Sequence, residues 1–311
     1  AATFDAPLSD VREKLDEYLR NEIAVLEKLD HPLVPTVLDT GTVGGRPYYV
    51  MEFIEGETLR SIIDAVWKRT GRFTIRDALR WGRELCGVLT YLHRQEVLHC
   101  DVTLKNSMVA DGRLVALLDF AIARQDDGTR RDEPVGTDGY APVEQRAGRE
   151  DQRTDVYALG VVLRTLLNGF YPSHPENQAT ATGEGQPLGY GYIRAFHSDD
   201  EVEILGIDLV LEMMLTVERA LRTDPSYRYQ SAEEMLAVLM DLEARVVARE
   251  MKVVHSPQSP VDRQRDAVDR GPLTVDIDHL ARGFAARLAI DHPDVREQEQ
   301  IVLDLTLQAL R

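Results

Sequence analysis

Apolar residues fall at helical spacing early in the chain. Between residues 10 and 29, Val11, Leu15, Leu19, Ile23 and Leu26 lie three or four apart, which predicts one amphipathic helix. His31-Pro32 ends it, because Pro cannot continue a helix. Two strand-like runs follow, Thr36–Thr40 and Tyr48–Phe53, with the turn-forming pair Gly44-Gly45 between them, and these predict a hairpin. Thr74-Ile75-Arg76-Asp77 has the spacing of a capping box. It opens a long helix with Trp81, Leu85, Val88, Leu89 and Leu92 on one face. Residues 97–123 alternate short apolar runs with polar clusters. Further helices are expected over about 153–168, 204–222 and 231–249.

Strands therefore concentrate early and helices late, the segregated pattern of an α+β fold. Residues 173–200 are rich in Gly, Ser, Thr, Pro and Asn and read as a loop. Residues 251–272 are polar, carry three prolines and read as a linker. Beyond it, about 276–290 and 294–310 read as two amphipathic helices joined at His292-Pro293. These divisions suggest units at 1–57, 58–250, 251–272 and 273–311.

Composition narrows the function classes. Of 311 residues, 43% are hydrophobic, ample for a core. A formal net charge of −17 argues against general affinity for DNA, RNA or anionic lipid, which need Lys/Arg surfaces. The only cysteines, Cys86 and Cys100, have neither metal-ligand spacing nor a disulfide pattern, so a reduced, cytoplasmic setting is expected. No run of 18 apolar residues suggests a membrane span. The first residue is Ala and no signal peptide follows, so the chain is expected to begin inside a longer protein.

Five short segments carry the chemistry. They are His99-Cys100-Asp101 with Asn106; Asp119-Phe120-Ala121; Gly136-Thr137 with Tyr140-Ala141-Pro142-Val143-Glu144-Gln145; Asp155-Val156-Tyr157-Ala158-Leu159-Gly160; and Asp224-Pro225-Ser226-Tyr227-Arg228. Singly each is a weak signal. An isolated Asp101 would read as a loop carboxylate bonding its own backbone. In this order and spacing they are specific, and about residues 3–245 resemble the eukaryotic-type Ser/Thr protein kinases, particularly the bacterial ones.

The resemblance implies a bilobal protein-kinase-like fold, with a partial N-lobe β-sheet and a mainly helical C-lobe. It implies ATP and Mg²⁺ as cofactors and a protein as substrate. Asp101 matches the carboxylate that takes the acceptor proton, and Asn106 and Asp119 match the metal ligands. Glu22 matches the helix glutamate that holds a phosphate-gripping Lys. Met51 falls at the gatekeeper and Glu52–Gly56, with Ile54, at the hinge that meets adenine; Met108 is expected to line the same site. Leu26, Val37, His99 and Phe120 would form the apolar column between lobes. Thr137 matches the Ser/Thr-type segment, Glu144 would pair with Arg228, and Asp155 would brace the catalytic loop.

The chain also departs from that pattern. No G-x-G-x-x-G precedes Glu22, and the gripping Lys would fall at Ala1 or Ala2. Either the chain starts after that strand or Ala replaces the Lys. Cys100 stands where the family has the Arg that docks a phosphorylated loop, so activation through a phosphate on Thr129 is not expected. Thr103 replaces the usual Lys, and Lys105 is the residue expected to reach the transferring phosphate. Ala121 replaces Gly after Asp119-Phe120, which narrows the backbone freedom there.

Several residues have plainer readings. Met51 and Cys86 read as core and His99 as a structural histidine; Arg130-Arg131 with Asp126-Asp127 reads as a solvated loop. Glu22 is matched equally well as a solvated residue among Glu13, Asp16, Glu17 and Glu27. Two other functions compete with an active protein kinase. A pseudokinase is suggested by the missing Lys and by Cys100 and Thr103. A small-molecule phosphotransferase shares the H-x-D-x-x-x-x-N loop but generally lacks segments like Tyr140–Glu144 and Asp155–Gly160. The tail helices are expected to pack on the C-lobe or to bind another domain. A sheet lacking its first strands would leave an edge open to pairing, so this polypeptide alone is expected to be unstable or oligomeric.

Overall fold

A computed structural model of the chain describes residues 8–172 and 190–254. Helix α1 (Leu8–Leu26) forms where the apolar spacing places it. Among its described side chains only Val25 and Leu26, at its end, are buried, while Val11 and Leu15 stay exposed. The reason is its partner. Strands β1 (Val37–Val43) and β2 (Arg46–Met51) make an antiparallel hairpin that, among the described residues, pairs with no third strand. A two-stranded ribbon is too narrow to cover the whole stripe.

The hairpin turns at Gly44 and Gly45, whose φ values of +59° and +81° are the left-handed pair that a two-residue type I′ turn requires. Leu38, Val43, Val50 and Phe53 are exposed. Met51, expected in the core, is 39% exposed for the same reason: no second layer covers it among the described residues.

The remainder is mostly helical, as the α+β pattern predicts. Strands β3 (Glu57–Thr58), β5 (Ser107–Ala110) and β6 (Arg113–Leu117) form a small sheet in the order β3-β5-β6, and β4 (Val97–Leu98) pairs with β7 (Arg124–Gln125). Helix α2 (Leu59–Trp67) starts at Thr58, whose hydroxyl accepts from Ser61 N. Helix α3 (Ile75–Arg94) opens on the expected capping box. Thr74 Oγ1 accepts from Asp77 N at 3.1 Å, and Asp77 accepts from Thr74 N at 2.9 Å.

After the short α4 (Val143–Arg146), α5 (Gln152–Asn168) is buried from Thr154 to Asn168. It packs against α3 and against α8 (Ile207–Ala220), and α3 packs in turn against α9 (Ala232–Val254). Each fully buried Leu or Val contributes about 1.5–3 kcal/mol. This makes α5 the centre of the core.

Boundaries differ from expectation in three places. The helix expected over 204–222 breaks at Gly206 into α7 (Asp199–Leu205) and α8. Residues 190–200 were expected as loop, yet α6 (Tyr190–Phe196) and the start of α7 lie there. Flanking Gly and Pro mask this short helix in composition. Helix α9 continues to Val254, four residues into the expected linker. Residues 173–189 and the two expected tail helices lie outside the described residues.

His197 sits between α6 and α7 in an aromatic cluster. Phe73 and Phe196 meet it edge-on at 5.5 and 5.2 Å, and its Nε2 lies 3.2 Å from Leu166 O. Burial lowers its pKa to about 4. The unfolded chain takes up a proton below about pH 6.5 that the folded chain refuses until about pH 4. The contribution is therefore complete above pH 6.5 and lost as the pH falls. Between pH 7.5 and 5.5 it amounts to about 1.4 kcal/mol. His197→Gln is expected to remove that part of the loss, read from urea midpoints at the two pH values. An equal loss in the variant would place the acid sensitivity elsewhere.

Candidate active site

The loop after β4 is hung from the core helix. Asp155, fully buried at the start of α5, accepts from the backbone N–H of His99 at 2.9 Å and of Cys100 at 2.8 Å. His93 Nε2 lies 2.9 Å from the same carboxylate. Burial alone would raise the Asp155 pKa, but these bonds and the neighbouring histidines bring it below the ordinary value. Gln145 Nε2 donates to Cys100 O at 2.6 Å from the other side. Cys100 itself has φ +64° and a buried side chain, and burial pushes its thiol pKa well up. Asp155 thus holds the backbone at His99 and Cys100.

This suspension sets Asp101. Asn106 Nδ2 donates to Asp101 Oδ2 at 2.8 Å and to Asp101 O at 3.0 Å. Thr137 Oγ1 donates to Asp101 Oδ1 at 2.6 Å. Residues 36 apart in sequence thus meet on one carboxylate. Asn106 turns its N–H group toward Asp101, which leaves its Oδ1 for another partner. The Asn106 carbonyl accepts from Leu118 N at 2.7 Å, which ties it to the strand leading into Asp119.

Asp119 is exposed, with φ +67°, and its Oδ1 accepts from Ala121 N at 3.3 Å. Phe120 is fully buried and packs edge-on against His99, with ring centroids 4.7 Å apart. Leu26 and Phe120 belong to the hydrophobic core, and Val37 packs against that core.

Glu22 reaches this loop, and Phe120 N donates to its Oε1 at 3.0 Å. Among the described residues its other partner is the Tyr49 hydroxyl, with no basic side chain on it. Burial raises the Glu22 pKa, and the charge of Asp119 adds to the rise. The solvated reading of Glu22 therefore fails. Asn21, beside it, was not singled out by sequence. Its Nδ2 donates to Ala121 O at 3.0 Å and Ala123 O at 2.8 Å, so α1 grips the loop at two adjacent residues.

The remaining expected residues are placed as follows. Thr103 is buried and turned inward, and its hydroxyl accepts from Asn106 N at 3.2 Å. Lys105 is exposed. Glu52 Oε1 accepts from Thr36 N at 2.8 Å, Ile54 is half-buried, and half-buried Met108 pairs with Thr58 and Ala116 across the small sheet. Glu144 and Arg228 form their expected ion pair. Arg131, read as solvated, instead pairs with buried Glu150. A cavity of about 530 Å³ opens between the end of α1 and β1, beside Leu26, Asp30 and Thr36, and no catalytic-loop residue lines it.

Among the described residues no cluster of three His, Cys, Asp or Glu could hold a metal, and none is needed for Mg²⁺. That ion keeps several waters and takes only one or two protein ligands beside substrate phosphates. Exposed Asp119 and the side-chain Oδ1 of Asn106 fit such a donor set.

Comparison with known proteins agrees with this geometry. Residues 6–238 match the family described as Protein kinase domain. The chain is 32% identical over 231 residues to serine/threonine-protein kinase PknB of Mycolicibacterium smegmatis, covering 71% of this chain and 35% of that protein. It is 28% identical over 267 residues to a probable serine/threonine-protein kinase, CPE1738, of Clostridium perfringens, covering 85% and 36%. The chain thus spans about a third of the length of these curated relatives, which are bacterial. With three-quarters of its residues inside one family match, the chain belongs to the protein kinase domain family.

Proposed function

We propose that this chain is the phosphoryl-transferring domain of a bacterial protein kinase that moves the γ-phosphoryl group of ATP to Ser or Thr hydroxyls of protein substrates. The observation that carries this is the Asp101 carboxylate, held between Asn106 and Thr137. Its hydrogen-bonded setting fixes the direction of the carboxylate. Asp101 takes the proton of the acceptor hydroxyl as the new O–P bond forms. The bond from phosphorus to the β,γ-bridging oxygen breaks and ADP leaves.

Asp119 and the side-chain Oδ1 of Asn106 are the proposed ligands of Mg²⁺, which when bound would neutralise charge on the phosphates. The backbone of Glu52–Ile54, with Met51, Ile54 and Met108, is assigned to adenine. Glu22 is assigned to orienting a phosphate-gripping cation, and exposed Lys105 to the transferring phosphate. The relatives' names support Ser/Thr as acceptor, as does the Thr137–Asp101 bond. Two free cysteines suit a reducing compartment, and we place the domain in the cytoplasm. Residues 273–311 are proposed to bind another domain or protein, and residues 251–272 to link them to the rest.

A second reading, a kinase-like binding module, draws on Glu22, which meets no cation among the described residues. One experiment separates the two. The full-length protein is given [γ-³²P]ATP, Mg²⁺ and a generic basic protein, and the labelled product is hydrolysed. Label in phosphoserine or phosphothreonine is expected. Label in phosphotyrosine would correct the acceptor. A folded protein that transfers nothing with Mg²⁺ or Mn²⁺ would favour the binding module.

A further inference from the structure

The stretch between Asp119 and α5 is not free. Two of its arginines converge on one carboxylate that belongs to its own far end. The Glu150 side chain is fully buried. Arg124 Nη1 donates to its Oε2 at 3.2 Å, and Arg131 Nε lies 3.2 Å from its Oε1. Both guanidinium groups are mostly covered, at 14% and 19% exposure. A buried carboxylate is tolerated only with such partners, and removing it would leave two cations facing each other.

Each arginine also holds the backbone. Arg131 Nη2 donates to Ile122 O at 2.8 Å, and Arg124 Nη2 donates to Thr129 O at 2.9 Å. Arg131 N donates to Gly148 O at 3.1 Å. Gly148 has φ +65°, and a Cβ there would lie 2.0 Å from Arg131 O, so the two ends of the stretch touch backbone to backbone. Glu150 thereby fastens β7, just after the Asp119 loop, to the entry of α5.

Between these fixed ends the stretch delivers Thr137 to Asp101 and Gln145 to Cys100 O. Cys100 supplies no cation to this region. The Thr129 hydroxyl already donates to Asp127 Oδ1 at 2.6 Å and accepts from Arg124. A phosphoryl group added there would meet the Asp127 carboxylate and an arginine already neutralised by Glu150.

We propose that Glu150 is a positioning residue of the transfer reaction: its buried carboxylate, clamped by Arg124 and Arg131, holds residues 124–150 so that Thr137 meets Asp101 without any phosphoryl group on Thr129. This deepens, and rests on, the kinase reading above. Its consequence is that the arrangement is written into the chain and needs no prior modification.

The test uses the full-length protein as wild type, Glu150→Gln, Arg131→Gln and Thr129→Ala, and wild type treated with a protein phosphatase. Transfer to protein substrate is measured with separate KM values for ATP and for the substrate. Amide hydrogen exchange is followed in peptides from 124–135. Glu150→Gln is expected to lower kcat/KM for the protein substrate by about tenfold or more, with KM for ATP within about twofold. It is also expected to speed exchange in that segment. Arg131→Gln acts in the same direction, which guards against a Glu150 variant that folds poorly. Thr129→Ala and phosphatase treatment leave transfer unchanged. Wild-type exchange in both Glu150→Gln and Arg131→Gln would overturn the proposal, as would loss of transfer on phosphatase treatment. If wild type itself transfers nothing, the kinase reading fails, and the exchange rates alone judge Glu150.

Discussion

Replacing Asp101 by Asn is expected to lower kcat for phosphoryl transfer by about three orders of magnitude, with KM for ATP nearly unchanged. The change removes the proposed proton acceptor at almost constant shape. Thr137 still finds an oxygen at position 101. The new amide group, however, faces the Asn106 Nδ2, which now donates at 2.8 Å, so one hydrogen bond is lost there. That loss is worth about 1 kcal/mol of local order. It is too small to explain three orders of magnitude, which correspond to about 4 kcal/mol. Asp119, the proposed metal ligand, is untouched, so nucleotide binding persists. Steady-state kinetics beside a melting curve check both halves. Activity within tenfold of wild type would remove Asp101 from the proton-accepting role.

The second large effect is on stability. Glu144→Ala is expected to destabilise the domain by about 3 kcal/mol, the lower end of the range for breaking a buried ion pair. Arg228 has a side chain with 0% exposure and Glu144 one with 11%. Arg228 also donates to Arg222 O at 2.6 Å, Arg153 O at 3.0 Å and Thr223 O at 3.1 Å, and lies 4.8 Å from the Tyr157 ring centre. Those carbonyls keep its N–H groups bonded when Glu144 is gone, so the loss is chiefly counter-charge. For a domain of this size the melting temperature should fall by about 6–12 °C. Adding Arg228→Met should return part of it, because an apolar side chain needs no counter-charge. A fall below about 1 kcal/mol would show that the carbonyls alone satisfy Arg228.

Much of the site was readable because its chemistry leaves little choice of residue. Asp101, Asn106 and Asp119 are recognisable by spacing, and their neighbours His99 and Phe120 by the apolar runs that deliver them. The capping box at Thr74 and the glycine pair at 44–45 were legible because they are local bonds and local φ angles. The Glu150 clamp was not. Its members lie 19 and 26 residues apart in irregular chain, where no period links them, and Arg131 alone looks like any solvated arginine. Asn21 was missed for the same reason, since its bonds span 100 residues or more. Helical spacing predicted α1 correctly but said nothing of how much of its stripe would find a partner. Val11, Leu15 and Met51 are exposed because burial depends on what packs opposite.

The Thr137–Asp101 hydrogen bond makes two events one equilibrium. Whatever holds residues 130–142 in place also orients the carboxylate, and by thermodynamic reciprocity an oriented carboxylate favours the placed segment by the same free energy. A protein substrate docking against that segment would then bind a carboxylate, the proposed base, that it helps to orient. A substrate that docks poorly would meet a domain whose base is less often in position, so discrimination between substrates would show in kcat as well as in KM.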